Sequence, residues 1–490
     1  WLFPYIKMII NFLFSPMQKR TKIIATVGPA TASSEMLEKL NQNGVNIIRF
    51  NFSHADYESA EIIANRIHML NEAGRTSLSL LLDTKWPELR TGDVAEKKSY
   101  KKWDVFRIFS NPNVSIKDLS CDYPYLSEDV EIGKTIEIDS GLFHVTVLSK
   151  GKDYVEVEAQ NDAIIGSRRH VNLPGVKIRL PGIMDKDKED ILFGIKNRYN
   201  FIAASFIRTA DNVREIRDFL DTNGGKNIRI ISKIENAEGI ENLEEIIAIS
   251  DGVMVARGDL GIEVPIEKVP KYQKRIIDLC RQSGKFVIVA THMLESMIEH
   301  PFPTRAEVSD IFRAVLQWAD ATMLSGETTT GKYPIESVDM MRSVIQEAEE
   351  ELEHKHHEYS NTNLSNRDIE KKYLIRWALQ IAEELEIEWI LLFTKSGRLA
   401  RLAAAYRPNI YIHTFSAETS TIGFMQVLYG IVPHHLSEWE DHTTNIENAL
   451  KKLLKEGIIT RESRVIAITD LIKNNLEVPA MEIITVGDFI

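Results

Sequence analysis

Cysteine is nearly absent from this chain of 490 residues: only Cys121 and Cys280 occur, far apart and in no CxxC or Cys/His spacing. That argues against a disulfide scaffold, a zinc finger and a thioredoxin-type site, and is read as two reduced, buried thiols in a cytoplasmic protein. Basic runs are missing as well. No block of five or six Lys/Arg occurs, and 59 Lys+Arg face 71 Asp+Glu, a formal charge of −12. Neither nucleic acid nor an anionic membrane is therefore expected as a partner, which leaves open a small anion held by a few local cations. Long apolar runs are also lacking. The most apolar stretch, WLFPYIKMIINFLFSP at 1–16, is too short to span a bilayer, carries Lys7, and has neither a basic start nor a small-residue cleavage site. It reads as an N-terminal extension ahead of a fold that begins at Met17.

What is present is 44% apolar residue content, enough for two to four domains that each bury a core. Short apolar or β-branched runs recur between helical patterns. They are KIIAT (22–26), VNIIRF (45–50), LSLLLD (78–83), FIAAS (201–205), IRIIS (228–232), GVMVA (252–256), FVIVA (286–290) and ATMLS (321–325). Their starts lie 23 to 35 residues apart except for one gap of 123. Eight strand-helix units of that length predict a (β/α)8 TIM barrel over 17–92 and 182–350. The gap predicts an inserted all-β lid domain after the third strand, over 93–181, because KTIEID, FHVTVLS and YVEVEA alternate between Gly/Asp/Asn turns. A charged stretch from about Arg342 to Lys372 reads as a helix and linker. His354, His356 and His357 within it are poorly spaced for one helix face and are given no function. Over 373–490, IEWILLFT, IYIHTF, IVPHHL, RVIAIT and MEIITVG predict a C-terminal α/β domain with a mostly parallel five-stranded sheet.

In such a barrel the chemistry sits where the strands end. Strand two leads into Arg49, Asn51, Ser53 and His54, and strand three into Asp83, Thr84, Lys85, Glu88 and Arg90. Strand five leads into Lys233, Glu235 and Asn236, strand six into Arg257, Gly258 and Asp259, strand seven into Thr291 and His292, strand eight into Ser325 and Glu327. Any one of these is an ordinary loop residue; six strands agreeing is not. Glu235 and Asp259 on neighbouring loops suit a hard divalent cation. Lys233 and Arg49 beside them make sense only if the substrate brings several negative charges, which points to phosphate plus carboxylate and to phosphoryl transfer.

The segments TKIIATVGPATAS, NIIRFNFSH, LLDTKWPELRTG, IISKIENAEGI, MVARGDLGIEVP, ATHMLESM, PTRAE and MLSGETTTGKYP closely resemble the signature blocks of the pyruvate kinases, in order, from about Thr21 to Glu350. The resemblance implies phosphoryl transfer from phosphoenolpyruvate to ADP, giving pyruvate and ATP, with Mg2+ (or Mn2+) and K+ as cofactors. It implies phosphoenolpyruvate held by Arg49, Lys233, Thr291 and the backbone of Gly258 and Asp259. Mg2+ falls to Glu235 and Asp259, and K+ to Asn51, Ser53, Asp83 and Thr84, with Glu88 marking the K+-dependent branch. Arg90 and Lys233 would bracket the transferring group, Lys233 would stabilise the enolate, and Thr291, Ser325 and Glu327 would form a proton relay. Nucleotide contacts would come from Asn51, His54, Arg90 and Arg169, and the assembly would be a homotetramer. The chain departs from the family pattern at Trp86, where glycine is usual, at His292, where glutamine is usual, and in the lid at 139–141 and 159–162. Those departures keep an alternative in view: a catalytically impaired homologue that senses phosphoenolpyruvate or a sugar phosphate. A lyase or aldolase barrel would require neither the lid nor the C-terminal domain.

The segment TKSGRLARLAAAYR leaves an apolar strand and opens a helix, so Thr394, Lys395, Ser396, Gly397 and Arg398 can converge on one anion. It resembles the family's sugar-phosphate effector loop. The Gly/Thr-rich second half of that site is replaced by DLIKNNLEVPAME, which predicts a monophosphorylated sugar or nucleotide as effector.

Overall fold

A strand that is apolar along its whole length is stable only where both its faces are covered, and the eight runs meet that condition by closing on one another. The computed structural model describes residues 19–53, 56–84, 89–110, 118–139, 141–179, 182–352, 358–362, 364–437, 439, 441–473 and 476–490. The N-terminal stretch 1–16, His54, Lys85, Trp86, Glu88, His354, His356 and His357 lie outside the described residues. The barrel strands are β1 (Lys22–Thr26), β2 (Val45–Asn51), β3 (Ser79–Asp83), β4 (Phe201–Ala204), β5 (Arg229–Ile234), β6 (Gly252–Ala256), β7 (Phe286–Ala290) and β8 (Ala321–Leu324). Each pairs in parallel with the next, and β8 returns to β1. Alternate residues serve two cores. Ile24, Ile47, Leu81, Phe201, Ile231, Met254 and Ile288 fill the barrel, whereas Ile23, Ile48, Leu82, Ile202, Ile230, Val253 and Val287 pack beneath the surrounding helices.

Between β3 and β4 lies the inserted domain, with a six-stranded and a two-stranded sheet around a separate core of residues such as Tyr123, Phe143, Val145 and Val157. Its strands Thr135–Ile138 and Tyr154–Ala159 bury every second residue, as half-covered strands do. One helical turn, Leu126–Asp129, interrupts the otherwise β character.

The C-terminal strands are β9 (Trp389–Phe393), β10 (Ile412–Ser416), β11 (Ile431–His435), β12 (Arg464–Lys473) and β13 (Leu476–Thr485), in the order β11-β10-β9-β12-β13. Only β12 and β13 are antiparallel, so the expected mostly parallel sheet is present. Residues 470–473 and 476–482 lie in these two strands, and 474–475 are outside the described residues. The helix leading into the sheet, Asn366–Glu384, starts from a Ser365/Asp368 capping box, so residue 373 lies inside a continuous helix.

This sheet domain docks on the N-terminal ends of the barrel strands. Lys22 Nζ donates to the Ile431 carbonyl at 2.6 Å, and Ser79 Oγ to the Gly423 carbonyl at 2.8 Å. Arg407 grips Asp320, just ahead of β8, with two 2.6 Å bonds, and both side chains are almost fully buried. A buried pair of this kind is costly to break because the remaining charge has no solvent. Replacing Arg407 by Met should therefore destabilise the docked barrel and C-terminal domain by about 3–5 kcal/mol, read as a lowered urea midpoint. A midpoint unchanged from the parent would show that Asp320 finds another partner.

Candidate functional site

Because side chains alternate along a strand, the inward rows of the barrel interior continue into its C-terminal mouth. Ile47 leads to Arg49 and Asn51, Leu81 to Asp83, Phe201 and Ala203 to Ser205, and Ile231 to Lys233 and Glu235. Arg49, Asn51, Asp83, Ser205, Lys233 and Glu235 line one cleft of about 420 Å³, together with Ser53, Thr84, Arg90, Arg168, Phe206 and Asp259.

Lys233 is the hub of the cleft. Its Nζ lies 3.0 Å from Asp83 Oδ1 and 2.9 Å from Glu235 Oε1, and donates to Ser205 Oγ at 2.7 Å. Arg49 Nε donates to the other oxygen of Asp83 at 2.7 Å, and its Nη1 to Thr26 Oγ1 at 2.9 Å. Burial pulls the Lys233 pKa down, but Asp83, Glu235 and Asp259 outweigh it, and the net direction is up. For Asp83, burial pushes up while Lys233 and Arg49 more than reverse it, so the carboxylate is held ionised. Glu235 goes the other way: burial raises it, and neighbouring Asp259 adds to that against the pull of Lys233.

Glu235 is completely buried. Its Oε2 accepts the Phe206 amide at 2.5 Å, while the Lys233 ammonium meets Oε1 as an ion pair without hydrogen-bond geometry. A buried carboxylate oxygen with an open lone pair, beside a second carboxylate that raises its pKa, fits a hard divalent cation. The remaining positions would fall to substrate oxygens and water, since among the described residues no group of three or more His, Cys, Asp or Glu side chains is placed to hold a metal.

Thr291 stands at the end of β7 in the left-handed region (φ 70°), followed by His292 (φ 53°). Its Oγ1 accepts the Gly258 amide at 2.8 Å and donates to the Ala290 carbonyl at 2.7 Å. Glu327, fully buried, accepts backbone amides of Leu294 at 3.0 Å and Ser325 at 2.7 Å. Among the described residues, hydrogen bonds tie Glu327 to the turn after β7 but do not join Thr291 directly to Ser325 or Glu327.

Asn51 Oδ1 accepts the Ser53 amide at 3.2 Å, and Thr84 Oγ1 donates to the Ala203 carbonyl at 3.3 Å. Arg90 Nη1 donates to the Arg168 carbonyl at 2.8 Å, and Arg168 lines the cleft. Arg169, the residue expected at the nucleotide, instead pairs with Asp139 at 3.3 Å and is absent from the cleft wall. Arg168, Ser205 and Phe206 line the cleft in addition to the expected residues. Ser205 was accessible to the same rule as its neighbours, since it follows Ala203 by two on the inward face of β4.

The segment 18–338 matches the family model "Pyruvate kinase, barrel domain", and 373–478 matches "Pyruvate kinase, alpha/beta domain". The chain belongs to the pyruvate kinase family. It is 41% identical over 456 residues to the pyruvate kinase of Eimeria tenella, covering 92% of this chain and 86% of that one. With the pyruvate kinase of Dictyostelium discoideum it shares 38% over 492 residues, covering 96% and 95%. A solved pyruvate kinase from Cryptosporidium parvum superposes with a TM-score of 0.89 at 33% identity, covering 97% of this chain and 99% of that one.

In this pyruvate kinase family member the loop at 394–398 has one internal hydrogen bond and an ion pair to a neighbouring helix. Gly397 (φ 74°) donates its amide to Thr394 Oγ1 at 3.1 Å, and Arg398 pairs with Asp368. Lys395 and Ser396 are exposed.

The inserted domain rests on the barrel through Asn172, whose Nδ2 donates to Glu263 Oε1 at 2.7 Å. Burial pushes Glu263 up to about 7, with Glu137 and Asp259 adding and the Asn172 amide opposing. Folded Glu263 thus binds its proton more tightly than unfolded Glu, so its stabilisation is complete below the unfolded value and is lost as pH rises through about 7. Glu263→Gln should remove a loss of about 1–3 kcal/mol between pH 5 and 8, read as a flatter melting temperature against pH. Parallel profiles for variant and parent would refute the assignment.

Proposed function

We infer that this protein transfers the phosphoryl group of phosphoenolpyruvate to ADP, forming pyruvate and ATP. The observation that carries the reading is the convergence of Arg49, Lys233, Glu235 and Asp259 at the mouth of a barrel that belongs to the pyruvate kinase family. Arg49 and Lys233, both fixed by Asp83, bind the phosphate, and Lys233 with Arg90 accompanies it toward ADP. Lys233, firmly protonated, then stabilises the enolate oxygen left behind. The Gly258 and Asp259 amides, at the start of the helix Arg257–Glu263, orient the substrate carboxylate once Thr291 releases the Gly258 amide. Thr291 turns its hydroxyl from the Ala290 carbonyl to the enolate carbon and delivers the proton. Ser325 and Glu327 stand behind it, Glu327 bracing the turn. Mg2+ or Mn2+ on Glu235 and Asp259 supplies charge neutralisation and substrate alignment, and K+ among Asn51, Ser53, Asp83 and Thr84 adds a fixed positive charge. Asn51, His54, Arg90 and Arg169 remain the proposed nucleotide contacts, with Arg168 added from the cleft wall.

The proposed domain division is a barrel over 17–92 and 182–350, a lid over 93–181 and an effector domain over 373–490. A monophosphorylated sugar or nucleotide would bind Thr394, Lys395, Ser396, Gly397 and Arg398 by displacing Asp368 from Arg398. We further propose a cytoplasmic homotetramer that takes part in glycolysis. Two buried thiols support that compartment, and no helix among the described residues is long and apolar enough to cross a membrane.

A lactate-dehydrogenase-coupled assay with phosphoenolpyruvate, ADP, Mg2+ and K+ tests the reading. Lys233→Met should lower turnover by at least about 10²- to 10³-fold, while Mn2+ titration still finds the cation bound. Near-parent turnover in that variant would sink the role of Lys233. In the same assay, replacing K+ by tetramethylammonium at equal ionic strength should nearly abolish turnover, and equal rates would remove the monovalent site.

A further inference from the structure

Arg257 has no part in the chemistry described so far, yet its guanidinium grips the turn that carries Thr291. Nε donates to the Ala290 carbonyl at 3.2 Å, and Nη2 to the carbonyls of Thr291 at 2.5 Å and His292 at 3.3 Å. Nη2 also lies 2.9 Å from the Met293 sulfur, and Nη1 pairs with Asp310 of the helix Arg305–Leu316. One planar fork thus holds four consecutive residues against a neighbouring helix, a geometry that a single ammonium cannot reproduce.

The turn needs holding. Thr291 and His292 both have positive φ, a conformation that is unfavourable for side chains with a Cβ and worst for a β-branched one. Arg257 is the only hydrogen-bond donor that the described residues offer to the carbonyls of Thr291 and His292. The next residue, Gly258, donates its amide to Thr291 Oγ1 at 2.8 Å. The start of one short helix therefore meets Thr291 at its carbonyl and at its hydroxyl, and the grip on the carbonyl is the one that remains once the Gly258 amide turns to the substrate carboxylate. Strain retained at a functional residue persists only where its surroundings over-determine it, and the Arg257 fork does so here.

We propose that Arg257 is a positioning residue for proton delivery: by clamping the left-handed Thr291–His292 turn it aims the Thr291 hydroxyl at the methylene carbon of the enolate. This rests on the role of Thr291 given above. In the reverse direction, Thr291 Oγ takes a methyl proton of pyruvate while passing its own proton to solvent, which leaves the enolate. A solvent deuteron then returns by the same route, so exchange of the pyruvate methyl protons into D2O reports this step alone.

Arg257→Lys keeps the charge against Asp310 and loses the fork; Arg257→Gln loses both. In the intact enzyme, Arg257→Lys should slow methyl exchange, followed by NMR with Mg2+, K+ and ATP, by about 10- to 100-fold. The KM for phosphoenolpyruvate and the melting temperature should stay close to the parent's. In a Thr291→Ala background the same substitution should add little, because the group it aims is gone. Parent-like exchange in both Arg257 variants, or an equal loss with and without the Thr291 hydroxyl, would overturn the proposal. So would a loss matched by weakened phosphoenolpyruvate binding, which marks a merely structural role. If the parent neither forms ATP nor exchanges methyl protons, the functional reading fails instead. A crystal structure of Arg257→Lys then decides the clamp by itself: Thr291 and His292 leaving positive φ supports it, and an unchanged turn overturns it.

Discussion

Closure of the barrel is the constraint from which the rest follows. Eight strands buried on both faces leave no room for charge along their length, so polar groups collect where the strands end. At the C-terminal ends that yields the cleft around Lys233. At the N-terminal ends it yields the docking surface where Arg407 meets Asp320 and Lys22 meets the Ile431 carbonyl. The strands thus connect the two surfaces directly. Arg229, at the start of β5, donates to the Ser396 carbonyl at 3.3 Å and lies over the Phe424 ring, while Lys233 and Glu235 stand at the other end of the same strand.

Within the cleft the electrostatics are balanced rather than simply positive. Asp83 shares itself between Arg49 and Lys233, and Glu235 faces Lys233 and Asp259. Charges this deeply buried are tolerated only when paired, and the pairing also fixes side chains that would otherwise sample many rotamers. The price appears at Glu235, whose raised pKa records a carboxylate poorly neutralised by protein alone. That imbalance is what a divalent cation would correct.

Thr291, the proposed proton donor, is held in a second way. It has a left-handed backbone and meets the Gly258 amide and the Arg257 fork, while buried Glu327 anchors Leu294 in the same turn. These hydrogen-bond partners lie 33 or 34 residues apart in sequence.

The apolar runs determined the barrel by themselves, because burial on both faces permits few other residue types; β1, β6 and β7 begin and end where KIIAT, GVMVA and FVIVA do. Asn51, Asp83, Lys233 and Glu235 were legible for the same reason, since a polar residue ending such a run must stand at the mouth. Ser205 follows the same two-residue period on β4. The tertiary structure alone decided that Arg168 lines the cleft while Arg169 turns to Asp139, since two adjacent arginines look alike until a backbone at φ 58° sets their directions. It alone paired Arg398 with Asp368, residues from different helices, and placed Arg257 around the Thr291 turn. Sequence carries the periodicity that local burial imposes. Contacts between segments distant in the chain exist only once the barrel has closed and brought the strand ends together.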